Sequence, residues 1–181
     1  PPAPRFGNCG FARARLRMIT AYGHDAGVVV SAPLSTVAPT PPPGLVWLDV
    51  FQPSVEEKAL VEAATGIAIP TPEQMREIEP SSRLFQANGA LFMTASVLHR
   101  SDSPEPETRA MTFVIVGGVM VSIRYSTPLS FETFLNRIHL QPSLIDSAES
   151  TLVGLLDAII DRIADALEFV DVKLNTLAST I

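Results

Sequence analysis

The segment 150–181, STLVGLLDAIIDRIADALEFVDVKLNTLASTI, contains no proline and a single glycine, Gly154, near its start. Its large apolar residues fall at Leu152, Leu156, Ile159, Ile163, Leu167, Val170, Leu174, Leu177 and Ile181, at spacings of 4, 3, 4, 4, 3, 4, 3 and 4. That spacing predicts one continuous helix, and its local repeat of eleven residues (152, 163, 174) describes a seam for a nearly straight packing partner. At 1.5 Å per residue the helix would extend roughly 48 Å, longer than a domain of this size is wide. It must project past the body or pack on something else. The seam is still running at Ser179-Thr180-Ile181 without a stop signal, so the helix is expected to be truncated there. Past the body, the seam residues Ile163, Leu167, Val170, Leu174 and Leu177 are expected to meet other copies of the chain or stay partly exposed.

The same helix carries an acidic stripe. Asp157, Asp161 and Asp165 recur every four residues, and Glu168 and Asp171 continue them. At about 100° per residue all five fall in one sector of roughly 120°, away from the apolar seam. A solvated helix face explains this pattern. A surface for hard divalent cations explains it too, because such ions take carboxylate oxygens, often through water. Carboxylates on one rigid helix cannot fill six positions, so a strong site at Asp157, Asp161, Asp165 and Glu168 would need a second chain. Any ion there is expected to be weakly bound, or absent from the isolated domain.

Upstream, residues 1–17 have no periodicity and read as a flexible arm or a vector-derived segment, with Met18 a plausible native start. Strands are predicted at 18–22 and 27–31, followed by a stiff proline-rich connector over 33–44 and a strand at 45–50. Ser54 and Glu57 make a capping box for a helix that stops at Gly66, and a short helix opens at Thr71-Pro72. Residues 83–87 and 90–99 alternate around Asn88-Gly89, and 109–116 and 119–124 flank Gly117-Gly118, so two hairpins are expected. Asp102 to Glu107 read as a solvated loop. Ser130 is expected to cap a helix over 131–140. The order is mixed, which predicts an α/β/α sandwich with a mixed sheet over 18–148, then a long C-terminal stalk helix over 149–181.

Composition narrows the function classes. From Met18 onward nine Lys/Arg face nineteen Asp/Glu, a balance of −10 that repels nucleic acid and tolerates cations. Cys9 is the only cysteine, which excludes an intrachain disulfide and a cysteine zinc site. The longest apolar run, 111–123, is interrupted by Gly117-Gly118 and is too short to span a bilayer, so the chain as given is expected to be soluble. Nucleophile-elbow, dinucleotide, P-loop and zincin motifs are missing, and no catalytic residue is assigned. His24, His99 and His139 lack a histidine or cysteine at ligand spacing. Trp47 reads as a core residue.

Several phrases together resemble the cytoplasmic part of the CorA family. They are Trp47-Leu48-Asp49 after a proline-rich lead; Gly66-Ile67 with Pro70 before a short acidic helix; and Glu77-Ile78-Glu79-Pro80-Ser81-Ser82-Arg83-Leu84-Phe85 leading into Asn88-Gly89-Ala90-Leu91-Phe92-Met93. Phe113-Val114-Ile115-Val116 and Val121-Ser122-Ile123-Arg124-Tyr125 follow, then the long helix. The resemblance covers residues 18–181, and the Glu77 to Arg83 wording is closer to the ZntB-like branch. It implies a transporter of Mg2+ or Zn2+ whose cytoplasmic domain assembles as a funnel-shaped homopentamer, touching the membrane only through helices beyond Ile181. In magnesium-transporting relatives, acidic residues bind regulatory cations between subunits. The alternatives are a metal-independent assembly module held by the seam and, further off, a small-ligand α/β domain.

Overall fold

The computed structural model describes residues 19–25, 27–34, 40–77, 79, 82–100, 103 and 106–179. The expectations for 1–17, Met18, part of the 33–44 connector, Ile78, Pro80-Ser81, half of the 102–107 loop and Ile181 lie outside them. Seven strands form one mixed sheet: β1 (Ile19–Asp25), β2 (Val28–Pro33), β3 (Leu45–Phe51), β4 (Leu84–Ala87), β5 (Ala90–His99), β6 (Glu107–Val116) and β7 (Val119–Arg124). Their spatial order is β2-β1-β3-β7-β6-β5-β4. Neighbours run antiparallel except β3 and β7, which pair in parallel with Trp47 opposite Met120 and Asp49 opposite Ser122. β3 is buried almost end to end, as a central strand covered on both faces must be.

Local chemistry sets the element ends. In α1 (Val55–Thr65), the Glu57 backbone N–H donates to Ser54 Oγ and the Ser54 N–H donates to the Glu57 carboxylate, completing the capping box, and Gly66 closes the helix at φ 71°. α2 (Pro72–Glu77) follows. Asn88 and Gly89 both take positive φ, as do Gly117 and Gly118, which gives each hairpin the twist its strands need. Two expectations need correction. Pro33 belongs to β2, not to the connector; β2 is an edge strand, where the missing N–H costs no ladder bond. Ser130 does not cap α3 (Leu129–Leu140). The extended residue before that helix is Pro128, so Ser130 already has helical backbone, and its hydroxyl is buried without a partner.

Two apolar cores flank the sheet. One gathers Leu48, Val50, Val114, Val121 and Ile123 under Val61, Ile67, Ile69 and Met75 from α1, α2 and their connection. The other gathers Trp47, Met111, Phe113 and Met120 under Phe131, Phe134, Ile138, Leu152 and Leu155. The layers are therefore α/β/α, with α3 and α4 (Ala148–Ala178) on the second face. A one-turn 3-10 segment, Pro142–Ile145, joins those two helices. The His24 ring donates from Nε2 to the Pro142 carbonyl (2.9 Å), tying β1 to this turn. Gly154 leaves room for the α3 side chain of Phe134: a Cβ there would stand 2.8 Å from Phe134 Cε2.

Candidate functional site

Two features stand out chemically, a buried polar network and the free half of α4. Asp49 and Arg124 sit on neighbouring parallel strands, 4% and 6% exposed. Arg124 donates from Nε to Asp49 Oδ1 (2.9 Å) and from Nη2 to Oδ2 (2.7 Å), a two-pronged pair. The Ser122 hydroxyl donates to Asp49 Oδ1 (2.8 Å), and the Trp47 indole N–H donates to Ser122 Oγ (2.9 Å). The remaining guanidinium donor, Nη1, reaches the Ser126 carbonyl (2.9 Å), while Phe51 and Phe131 cover the guanidinium. Tyr22 stacks on Trp47 at 4.4 Å between centroids. Burial, reinforced by the Asp49 charge, holds the Tyr22 phenol far above its ordinary range, so it stays neutral. The network is buried and fixes β3 against β7.

This network was missed from sequence, although a signal existed. LVWLDVF and VMVSIRY are apolar strands interrupted by one acid and one base, and charges on strands that apolar must find each other.

α4 begins at Ser147, whose hydroxyl accepts from Ser150 N–H while the Ser150 hydroxyl accepts from the Ser147 N–H. The domain buries one stripe of its first turns: Leu152, Leu155, Ala158 and Ile159. Beyond Ile159 the helix runs on to Ala178, about 28 Å further, and every large apolar residue on it is exposed. The seam residues Ile163, Leu167, Val170, Leu174 and Leu177 are all in this state, from 39% at Ile163 to 65% at Leu167. Phe169 and Val172, also exposed, stand on the far side of the helix from the seam. A helix apolar on more than one side has more than one surface to bury.

Asp157, Asp161, Asp165 and Glu168 are exposed on this helix. Asp161 accepts from Arg137 Nη2 of α3 (2.7 Å), and Asp165 lies 3.7 Å from Arg162 Nη1. Asp157 lines a cleft of about 430 Å³ with Arg137 and Gly154. Among the described residues, no three His, Cys, Asp or Glu stand close enough to hold a metal ion. Within one chain the stripe is a field with partial counter-charge, and Arg137, 24 positions away in sequence, was not foreseen. No helix among the described residues is long and apolar enough to cross a membrane.

Comparison with known proteins agrees with this architecture. Residues 43–181 match the model of the family described as CorA-like Mg2+ transporter protein. The magnesium transport protein CorA of Campylobacter jejuni is 24% identical over 148 residues, covering 77% of this chain and 45% of that protein. The chain thus spans just under half the length of that relative. The soluble domain of CorA from Methanocaldococcus jannaschii superposes with a TM-score of 0.60 at 12% identity, over 91% of this chain and 64% of that one. The cytoplasmic domain of ZntB from Vibrio parahaemolyticus gives 0.62 at 12% identity, over 87% and 63%. At such identities the likeness to the two structures is one of fold.

Proposed function

The chain belongs to the family of CorA-like Mg2+ transporter proteins, and on that premise we propose that it is the non-membrane part of a divalent-cation transporter. In this reading it stands on the cytoplasmic side of the membrane as one wall of a homopentameric funnel, with α4 leading toward pore helices beyond Ile181. The observation that carries the reading is the free half of α4. Its exposed seam, with Phe169 and Val172 behind it, supplies two faces, as each member of a closed ring needs for two neighbours. The transported ion is Mg2+, which the family description names, with Zn2+ the rival. Reconstituting the full-length protein in vesicles decides it: magnesium entry that saturates and is not matched by zinc supports the proposal. Zinc entry alone moves the protein to the other ion, and no flux of either ion contradicts transport.

Asp157, Asp161, Asp165 and Glu168 are proposed to act between copies. Like-charged helix faces brought together in a ring repel, and divalent ions at the subunit boundaries would relieve that repulsion and favour the assembled state. The expected affinity is of the order of millimolar, because the carboxylates are spread along a rigid helix without a cage. In the assembled full-length protein, magnesium at about ten times its dissociation constant should add about 1.4 kcal/mol, a rise of a few degrees in melting temperature. In the Asp157→Asn/Asp161→Asn/Asp165→Asn variant that rise should shrink to half or less. Equal responses would leave the stripe a solvated face. One observation favours this second, metal-independent reading: Arg137 and Arg162 already stand beside Asp161 and Asp165.

A further inference from the structure

The sheet has one place where neighbouring parallel strands send the chain to opposite faces. β3 leads into α1, over the Leu48 core, whereas β7 leads into α3, over the Trp47 core. Where connections diverge in this way they leave a crevice outside the carboxyl ends of the strands, the position at which open α/β sheets take ligands. Here the crevice measures about 500 Å³, and Gln52 and Ser126, just past the two strand ends, line it together with Glu73 and Arg76 from α2 and Arg109 from β6.

Two arginines, Arg76 and Arg109, and one carboxylate, Glu73, face it. Arg76 pairs with the exposed Glu73 (3.2 Å), and Arg109 with Glu107, which also lies 3.5 Å from Arg100. At Glu107 two guanidinium groups thus share one carboxylate. Gln52 has left-handed backbone at φ 45°, held by its N–H on the Arg124 carbonyl (3.0 Å) and its side-chain amide on the Tyr125 carbonyl (3.1 Å). A non-glycine residue kept in that conformation is a cost that tends to sit at functional places. The Ser126 hydroxyl is buried without a partner.

We propose that this crevice binds the phosphate group of a small anion, with Arg76 and Arg109 taking its oxygens from two sides. A guanidinium plane offers paired N–H donors matched to phosphate oxygens. The second N–H of the Gln52 side-chain amide supplies a neutral donor nearby. Arg76 exchanges Glu73 for the anion, and an exposed pair of that kind is easily given up. None of the α4 residues takes part, so the site stands apart from the cation reading.

The test titrates this chain with inorganic phosphate and, separately, with adenosine monophosphate, at ionic strength held constant with sodium chloride, following amide resonances. The expected result is a saturable response to at least one of them, weakened about ten-fold or more in Arg76→Gln/Arg109→Gln, a loss of roughly 1.4 kcal/mol, and unchanged in Arg83→Gln. Tighter binding of the nucleotide assigns the site to phosphorylated metabolites, and equal binding assigns it to the free ion. Arg76→Gln alone, at an exposed position, keeps the test readable should the double variant unfold. No saturable response to either anion, or a response that survives both arginine substitutions, overturns the proposal.

Discussion

Replacing Arg124 by methionine is expected to lower the unfolding free energy of the chain by about 3–5 kcal/mol, the cost of leaving a buried charge without its partner. Asp49 would remain enclosed between Trp47, Phe51 and the α3 layer, keeping only the Ser122 hydroxyl from its present donors. In urea the midpoint should fall while the slope is unchanged, because the same surface is exposed on unfolding. The double substitution Asp49→Leu/Arg124→Met removes both charges together and should recover most of the loss, since a buried ion pair exchanged for apolar side chains of similar volume is often neutral. A double variant as unstable as the single one would mean that packing of the Arg124 stem between Phe51 and Phe131, not charge pairing, is what the residue contributes.

The seam predicts the opposite pattern, with large effects on assembly and small ones on folding. Leu167 and Leu174 are 65% and 59% exposed in the single chain. The pair Leu167→Glu/Leu174→Glu should therefore change the chain's own stability by no more than about 0.5 kcal/mol. In an assembly each leucine would be buried, which is worth about 1.5–3 kcal/mol a side chain. Losing two, and enclosing two carboxylates instead, should weaken association of the full-length protein by about 100-fold or more. Sedimentation in detergent reads the assembly and thermal melting of this chain reads the fold. A variant that melts early without dissociating would place these leucines inside a folded unit.

What was legible in the sequence was what local chemistry decides. Asn88-Gly89 and Gly117-Gly118 announce hairpins because only a few residues tolerate positive φ. Ser54 with Glu57 announces a helix start because their side chains answer the orphan N–H groups of the first turn. The seam of α4 could be read because its period outlasts any one domain, and the family resemblance rested on the same phrases. Ser130 misled because a serine before an apolar run looks like a cap even when Pro128 has already begun the helix. The rest depends on contacts between distant positions. That β3 lies beside β7 brings Asp49 to Arg124, 75 residues away, and sets Gln52 next to Ser126 at the crevice. Arg137 meets Asp161 only because α3 packs on α4. Apart from the lone acid and lone base on the apolar strands β3 and β7, no local pattern encodes these pairings, and they decide where charge is buried, shared or left over.

The free half of α4 is proposed as a surface between copies of this chain. Cross-linking tests it most directly, in membranes carrying the full-length protein with Cys9→Ser and one new thiol, Leu174→Cys, treated with a short flexible bis-maleimide. The expected result is a covalent dimer, because one thiol per protomer can be joined to only one other, and no dimer from Val28→Cys, an exposed position on the edge strand β2. A protein that stays monomeric at Leu174→Cys, or that cross-links equally at both positions, would contradict it.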